Sequence, residues 1–363
     1  MLLVLAGAFD PPGHATPLSD AEKPALDRMA RAGRAGNVAL SGRSPWEGFT
    51  ELLGLGTVGP SLGAAEALGA GLDPGPGECV YRADFVTLAD GVVRDPFGGR
   101  IKDPEAAALL DAVRAAVPGL RIVRAGGHRN LVFLPGEAQF CPSPWEMAGR
   151  KPASGLPPEG PVRDLHLAAA AALAAHDVNT IRVDLGENPA NALWIHGGGA
   201  AAVRGAGAAP AGGAVLVGRG AAVKGLAQVL GWQDSIVEGD DEVLAAAALA
   251  ALGTAGLVVV RTESVLDATS LGGAEARRDA LSRVDARLVA PLLAAAEERD
   301  AFVMVVAADC VVDAATHALV RRPVPCVVAG AGRGVGDAAF TERACDVGGY
   351  RLASGAELFA LLR

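Results

Sequence analysis

The chain has 363 residues, of which 51% are hydrophobic, and its formal net charge is −9. This length suits one large or two unequal domains with ample core material. Because affinity for a phosphate backbone needs clustered lysines and arginines, and no such run occurs, the acidic balance argues against a nucleic-acid partner. The five cysteines are scattered and never form a CxxC pair. This usage argues against a disulfide framework or structural zinc and favours the cytoplasm.

The chain starts with the short apolar run 2–5, which no basic region or cleavage site accompanies, so we expect no signal peptide. No stretch of the sequence predicts a membrane span. Further short apolar runs have the composition of strands buried on both faces of a parallel sheet, at 257–260, 302–306 and 324–328. Helical patterns lie between or after these runs, at 21–31, 274–298 and 356–362. Strands that alternate with helices predict a doubly wound α/β fold.

The middle of the chain has a different, α+β pattern. The segment 81–100 predicts a hairpin, and 120–123 and 130–134 predict strands on either side of a His-Arg turn. Proline- and glycine-rich punctuation follows at 142–161. We therefore expect a core formed by residues 1–56 and 178–363, interrupted by a smaller inserted domain at residues 57–177.

Several stretches occur in an order that resembles the archaeal-type, cofactor-independent phosphoglycerate mutases of the alkaline-phosphatase superfamily. They are ATPLSDAEKPALDRMARAGRAG at 15–36, EALGAGL at 66–72, YRADFVTL at 81–88, DPFGGRI at 95–101, GHR at 127–129, HDVNTIR at 176–182, NPANALW at 188–194 and PVP at 323–325. The resemblance covers nearly the full length. It implies an alkaline-phosphatase-like α/β core with a central, mostly parallel sheet, plus an inserted substrate-binding domain.

The resemblance also implies a chemistry, the glycolytic interconversion of 3- and 2-phosphoglycerate. In that family a serine takes the phosphoryl group, two divalent metals (Mn²⁺ or Mg²⁺) stabilise the charge, and the second domain holds the rest of the substrate. A working enzyme of this kind is an intramolecular phosphotransferase, classed with the isomerases.

Most of the family's metal-ligand positions are changed in this sequence. The first metal aspartate corresponds to Ala6, and the later DxxxH pair corresponds to Leu266 and Ser270. A histidine that precedes this pair in the family corresponds to Arg261. Leucine cannot ligate a metal, so the second cluster of ligands is broken.

Two ligand positions remain. Asp309 is retained, but Cys310 follows it in place of a histidine, and His317 can be matched to the last metal histidine. A lone aspartate and a lone histidine cannot hold a dinuclear site. A rebuilt ligand set would have to add Asp10 and Asp267 to Asp309 and His317.

The family's nucleophilic serine is also displaced. Ser44 lies within one residue of the expected place, and Thr50 is a second candidate, but the flanking glycine and aspartate of the family are gone. The alternative is that both hydroxyls are ordinary loop or helix-cap groups.

The inserted segment keeps more of the family's polar residues. They are Arg82, Asp95, Arg100, His128 and Arg129. Guanidinium groups suit phosphate and carboxylate, so these residues predict a pocket for a small phosphorylated or carboxylated anion. The alternative is a structural ion network with Asp84 and Asp95. His196 replaces an arginine of the family, which exchanges a permanent cation for a switchable one.

We therefore hypothesise a phosphoglycerate-mutase-like protein that has lost two-metal phosphoryl transfer and acts as a small-anion binding or regulatory module, without a metal. The anion would bind in the inserted domain or at the interdomain cleft. The alternative is an active Mn²⁺- or Mg²⁺-dependent mutase or phosphatase with a rebuilt site. A third hypothesis is metal-free chemistry at Cys310 or His317. The sequence leaves the oligomeric state open.

Overall fold

The structure is a computed structural model, and it describes residues 1–56, 59–205, 210–299, 301–330, 338–348 and 350–362. The chain forms two compact units. The first unit comprises Met1–Gly59 and Val203–Arg363, and the second comprises Pro60–Ala202.

The first unit contains ten strands and nine helices in the described part of the chain. The first segment forms β1 (Leu2–Leu5), α1 (Pro17–Asp20), α2 (Pro24–Ala32), β2 (Arg34–Val38) and α3 (Pro45–Leu52). The second unit then forms α4 (Leu62–Gly69), β3 (Glu78–Ala89), β4 (Val92–Asp95), α5 (Asp103–Ala116), β5 (Arg121–Gly126), β6 (Arg129–Pro135), α6 (Pro161–Leu173), α7 (Asp177–Asp184) and β7 (Ala192–Gly199).

The chain then returns to the first unit. Its elements there are β8 (Ala214–Gly218), α8 (Gly220–Leu230), β9 (Gln233–Ile236), α9 (Asp241–Leu252), β10 (Leu257–Thr262), α10 (Ser264–Val284), α11 (Ala290–Glu297), β11 (Val303–Ala307), β12 (Val311–Val312), β13 (Leu319–Val320), β14 (Val324–Gly330), α12 (Glu342–Val347), β15 (Tyr350–Leu352) and α13 (Gly355–Ala360). A π-helical turn, Asp285–Val289, joins α10 to α11.

An eight-stranded sheet forms the centre of the first unit, in the order β15-β2-β14-β11-β1-β10-β8-β9. Neighbouring strands are parallel except where β14 pairs with β11 and with β2. The strands β1 and β8 are buried along their whole length, as expected for strands that are covered on both faces. The expected α/β fold with a central, mostly parallel sheet is confirmed.

The second unit contains a five-stranded antiparallel sheet, in which β3 pairs with β6 through its first residues, with β7 through its middle and with β4 at its end. Its helices α5 and α6 pack on a core that includes Phe85, Leu109 and Leu165.

The end of this unit differs from the expected boundary at residue 177. The expected boundary coincides with the start of α7. The chain stays in the second unit beyond it, until Ala202, because β7 (Ala192–Gly199) pairs with β3. The expected start of the insertion, Thr57, lies outside the described residues.

None of the helices in the described ranges is long and apolar enough to cross a membrane.

Candidate functional site

The carboxyl ends of β11, β1 and β10 meet at one edge of the first unit's sheet, because β1 pairs in parallel with both neighbours. Asp309 follows β11 and is 1% exposed. Its Oδ1 accepts a hydrogen bond from the Gly7 amide at 2.9 Å, and its Oδ2 contacts Arg261 Nη2 at 3.1 Å. Asp309, which the resemblance predicts to be a metal ligand, is therefore paired with Arg261.

Arg261 is itself buried among groups that stabilise its charge. Its Nη1 contacts Glu263 Oε1 at 2.5 Å, and the rings of Phe49 and Trp46 lie 5.0 and 5.8 Å from the guanidinium carbon. Burial disfavours the charged guanidinium, but Glu263 and Asp309 outweigh it and raise the pKa of Arg261 above its ordinary value. The side chain therefore carries a permanent positive charge at this edge.

A second arginine holds the other acid near this edge. Arg277 is fully buried, and its Nη1 donates to Asp10 Oδ2 and to the Val312 carbonyl, each at 2.6 Å. Asp10 Oδ1 accepts from the Ala314 amide at 2.8 Å. Both oxygens of Asp10 therefore have partners within the protein.

An apolar side chain fills part of the same edge. Leu266 is 7% exposed, and its Cδ1 lies 2.8 Å from the point where a Cβ on Gly7 would stand. Asp267, the neighbouring residue of α10, is exposed. No group of three or more histidine, cysteine, aspartate or glutamate side chains that could hold a metal occurs among the described residues, so Asp10, Asp267, Asp309 and His317 do not form such a group.

His317 lies in the connection between β12 and β13, with its backbone in the left-handed region at φ 56°. Burial, together with the nearby Arg277, lowers the pKa of His317 below its ordinary value. Cys310 is buried, and its Sγ lies 3.4 Å from Asp309 Oδ1.

The two nucleophile candidates have structural partners. Ser44 is the N-cap of α3, where its hydroxyl accepts from the Glu47 amide at 3.2 Å. Thr50 is 2% exposed and donates to the Glu47 carbonyl at 2.9 Å. A Cβ on Gly59 would stand 2.7 Å from Thr50 Oγ1, so the backbone covers this hydroxyl.

The second unit buries a polar network around Arg82, which is 8% exposed. Arg82 pairs with Glu66 at 2.9 Å and with both oxygens of Asp84, and His196 Nε2 lies 3.1 Å from Asp84. Burial opposes the ionisation of Asp84, but Arg82 and the His196 hydrogen bond hold its pKa well below its usual range. Arg82 is therefore held in a buried ion network with Glu66 and Asp84.

Asp95 orders the turn that follows β4. Its carboxylate accepts from the Phe97 amide at 2.8 Å, the Gly99 amide at 3.0 Å and Asn188 Nδ2 at 3.0 Å. The turn ends at Arg100, which is exposed and has φ 53°, a left-handed conformation that is uncommon outside glycine. Backbone outliers of this kind cluster at functional sites.

His128 and Arg129 lie beside this turn. The His128 ring packs edge-on against Phe97, with centroids 5.4 Å apart. Burial, with the charges of Arg129 and Arg82, lowers the pKa of His128 to about 4, so the ring is neutral near pH 7. Arg129 is partly buried, and neither Arg100 nor Arg129 makes a side-chain hydrogen bond or ion pair within the described part of the chain.

Sequence reasoning missed Arg277, Glu66 and the role of Arg261 as an ion-pair partner. One signal was available for Arg277. Ala280, Leu281 and Val284 follow it at helical spacing, so the residue lies on the apolar stripe of α10 and needs a buried partner. No comparable signal pairs Glu66 with Arg82.

Comparisons with known proteins identify the family and agree with the fold. A family model described as 2,3-bisphosphoglycerate-independent phosphoglycerate mutase matches residues 58–179. A 2,3-bisphosphoglycerate-independent phosphoglycerate mutase of Methanothrix thermoacetophila is 30% identical, over 96% of this chain and 94% of that protein. The enzyme of the same name from Methanosphaerula palustris is 30% identical, over 100% of this chain and 96% of that protein.

Solved structures show the same fold. A Pyrococcus horikoshii protein superposes with a TM-score of 0.68 at 20% identity, covering 99% of this chain and 95% of its own. A cofactor-independent phosphoglycerate mutase from Thermoplasma acidophilum superposes with a TM-score of 0.53 at 24% identity, covering 99% and 97%. With relatives 30% identical over nearly its whole length, the chain belongs to the family of 2,3-bisphosphoglycerate-independent phosphoglycerate mutases.

Proposed function

We propose that this phosphoglycerate-mutase-like protein binds a small phosphorylated or carboxylated anion through its second unit and has given up two-metal phosphoryl transfer. The observation that carries the proposal is the buried ion pair between Arg261 and Asp309, at 3.1 Å. A dinuclear centre needs several anionic oxygens that converge on cations. Here the guanidinium of Arg261 neutralises the carboxylate of Asp309, so the charge of this acid is balanced without a metal ion.

The other changes at this edge agree with that role. Arg277 neutralises Asp10 in the same way, at 2.6 Å. Leu266, at a position where the resemblance predicts a metal ligand, instead packs its Cδ1 close to Gly7. A divalent metal ion near Arg261 and Arg277 would be repelled by both guanidinium groups. The residues present therefore do not fit a pair of divalent metals.

The hydroxyls near α3 also support the proposal. Attack on a phosphoryl group needs an exposed, activated nucleophile. Ser44 lies at a helix cap, and Thr50 is buried beneath Gly59 with its proton directed at a main-chain carbonyl. Neither hydroxyl contacts a general base in the described residues.

The second unit offers an anion ligand set that is smaller than the one predicted from the sequence. Arg82 forms ion pairs with Glu66 and Asp84, and the carboxylate of Asp95 accepts hydrogen bonds from the backbone of its own turn. The remaining donors are the side chains of Arg100, His128 and Arg129. Two guanidinium groups and one neutral imidazole suit an anion with charge near −2, such as a phosphomonoester.

The competing function is an active mutase, which the names of the relatives suggest. Purified protein is assayed for interconversion of 3- and 2-phosphoglycerate with excess Mn²⁺, beside an active family member. We expect no turnover by folded protein. Turnover that Asp309→Ala abolishes would overturn the proposed loss of chemistry.

Anion binding is tested separately by calorimetry with 3-phosphoglycerate. We expect saturable binding that the double variant Arg100→Ala/Arg129→Ala abolishes. Arg94→Ala is the matched control, because Arg94 is an exposed arginine on β4 of the same sheet. Equal binding by the double variant and the control would contradict the assigned ligand set.

A further inference from the structure

The turn at residues 95–100, which ends on the proposed ligand Arg100, has an unusual backbone. Gly98, Gly99 and Arg100 follow one another with φ values of 55°, 65° and 53°. Glycine adopts such values freely, but a residue with a side chain adopts them at a cost that the surrounding structure has to offset. The conformation of Arg100 therefore depends on contacts that hold the turn from outside.

The side chain of Arg182, in the last turn of α7, makes such a contact. Arg182 is 4% exposed. Its Nη2 donates to the Gly99 carbonyl at 2.7 Å, and its Nε donates to the Asn188 carbonyl at 2.9 Å. The Gly99 carbonyl belongs to the peptide group that leads into Arg100. One guanidinium therefore joins this peptide group to the loop that follows α7.

The approach of Arg182 to the turn requires a glycine at position 99. A Cβ on Gly99 would stand 2.5 Å from Arg182 Nη2 and 2.2 Å from the Asn188 carbonyl oxygen. Both distances are too short for a real side chain, so any other residue at this position would displace the guanidinium or the loop. The missing side chain lets Arg182 reach the backbone of the turn.

Two acids balance the charge of Arg182. Its Nη1 contacts the two oxygens of Glu105 at 3.1 and 3.0 Å, and it lies 3.1 Å from Glu187 Oε2. Together with the two carbonyl contacts, these pairs give every nitrogen of the guanidinium a partner. Arg182 is therefore engaged within the protein and is not itself a ligand for an anion.

Asp95 completes the support of the same peptide groups. Its Oδ2 accepts from the Gly99 amide at 3.0 Å and from Asn188 Nδ2 at 3.0 Å. The amide of Gly99 is thus held by Asp95 and its carbonyl by Arg182, while Asn188 contacts both of these side chains. This arrangement fixes the backbone on either side of Gly99 and leaves the Arg100 side chain exposed.

We propose that Arg182 is a positioning residue of the second unit's anion site, because it fixes the peptide group before Arg100. The inference rests on the proposed function, in which Arg100, His128 and Arg129 bind the anion. A ligand group that is held in place before binding loses less conformational freedom when the complex forms. Arg182 therefore raises the affinity for the anion without touching it, and it acts through Arg100.

The test is a double-mutant cycle on the full chain, with 3-phosphoglycerate affinity measured by calorimetry. Arg182→Met should weaken binding roughly fivefold in the wild-type background, as expected when a ligand group is no longer pre-positioned. In the Arg100→Ala background the same change should have little further effect, because the residue through which Arg182 acts is gone. Arg182→Lys keeps the charge but lacks the fork that reaches two carbonyls, so it should restore only part of the affinity.

The matched control is Arg121→Met. Arg121 also pairs with an acid and donates to a backbone carbonyl, through Glu78 at 3.0 Å and Asp73 at 2.8 Å, but it lies at the opposite end of β5 from the turn. Its loss should leave the affinity for 3-phosphoglycerate like that of the wild type. The comparison separates positioning by Arg182 from a general effect of removing a paired arginine.

A second measurement needs no ligand. Amide hydrogen exchange, followed by nuclear magnetic resonance, reports local opening of the turn at Phe97 and Gly99, whose amides donate to Asp95. Exchange at both amides should be roughly tenfold faster in Arg182→Met, because the turn loses its support. Exchange in Arg121→Met should match the wild type.

The possible failures are distinguishable. Absence of saturable binding by folded wild type would overturn the proposed anion site itself, and Arg182 would then be a structural residue only. Binding by the wild type with an equal loss from Arg182→Met in the presence and absence of Arg100 would overturn only the positioning role. Unchanged amide exchange in Arg182→Met would overturn that role as well, whether or not the anion binds.

Discussion

The two units of the protein differ in how their charged side chains are paired. In the first unit, Asp309 and Asp10 are each paired with an arginine of the same unit. In the second unit, Arg82 is paired by Glu66 and Asp84, but Arg100 and Arg129 have no acidic partner in the described part of the chain. The edge of the first unit's sheet balances its charge without a metal ion. Arg100 and Arg129, which have no acidic partner, are suited to an anionic ligand. From this difference we infer that the first site has become structural and that the second still binds an anion.

The largest expected effect tests the first half of this comparison. Arg261→Met should lower the free energy of unfolding by roughly 3–5 kcal/mol, because it leaves the Asp309 carboxylate buried and unpaired. Urea denaturation measures the change. The control is the double variant Arg261→Met/Asp309→Asn, which removes both charges and should recover most of the loss. A loss below about 1 kcal/mol in the single variant would show that the pair does not balance the site.

Replacing the buried arginine of the second unit should lower the free energy of unfolding by a smaller amount. Arg82→Met leaves Glu66 without its partner, but His196 still contacts Asp84, so we expect a loss of roughly 2–3 kcal/mol in urea denaturation. Adding Glu66→Gln to this variant should restore part of the stability. If Arg82→Met instead left stability unchanged and removed anion binding, Arg82 would be a ligand and the structural assignment would be wrong.

His128 should make the stability of the second unit depend on pH. The pKa of His128 is lowered from 6.5 to about 4, so the unfolded chain binds a proton more readily than the folded chain between these values. The stabilisation is therefore complete above about pH 6.5 and is lost as the pH falls toward 4, by about 2–3 kcal/mol. Urea titrations of wild type and His128→Gln over this range measure it. Parallel pH profiles of the two proteins would refute the assignment.

The smallest change in stability is expected for Arg129→Ala, which tests whether Arg129 binds the ligand or stabilises the fold. Arg129→Ala removes a cation without an ion-pair partner, so the free energy of unfolding should change by no more than about 0.5 kcal/mol. The affinity for 3-phosphoglycerate should nevertheless fall roughly tenfold, as expected for loss of one charge-assisted hydrogen bond. A large loss of stability with unchanged affinity would place Arg129 in the structural network.

The main features of the fold could be predicted because short apolar runs such as 257–260 alternate with helical patterns, and each is a local signal. The family resemblance is confirmed as well. The boundary near residue 177 was misplaced because the run that forms β7 could join either sheet, and only its pairing with β3 decides this.

The candidate site was harder to predict, because its character depends on pairings between distant residues. The sequence shows that Arg261 lies where a histidine is expected, but not that its guanidinium reaches Asp309, 48 residues away. The partnership of Arg277 with Asp10 spans 267 residues and has no local signature. Similarly, the identity of Arg82 as a network residue depends on Glu66 in a preceding helix. The catalytic, metal and ligand roles remain predictions.

Manganese binding tests the central claim most directly. Purified, metal-stripped protein is titrated with Mn²⁺ and free ion is followed by electron paramagnetic resonance, beside an active family member treated identically. If Arg261 and Arg277 have replaced the metals, this chain should leave the Mn²⁺ signal unchanged at concentrations that saturate the control. Two tightly bound Mn²⁺ ions per chain, lost in Asp309→Ala, would contradict the account.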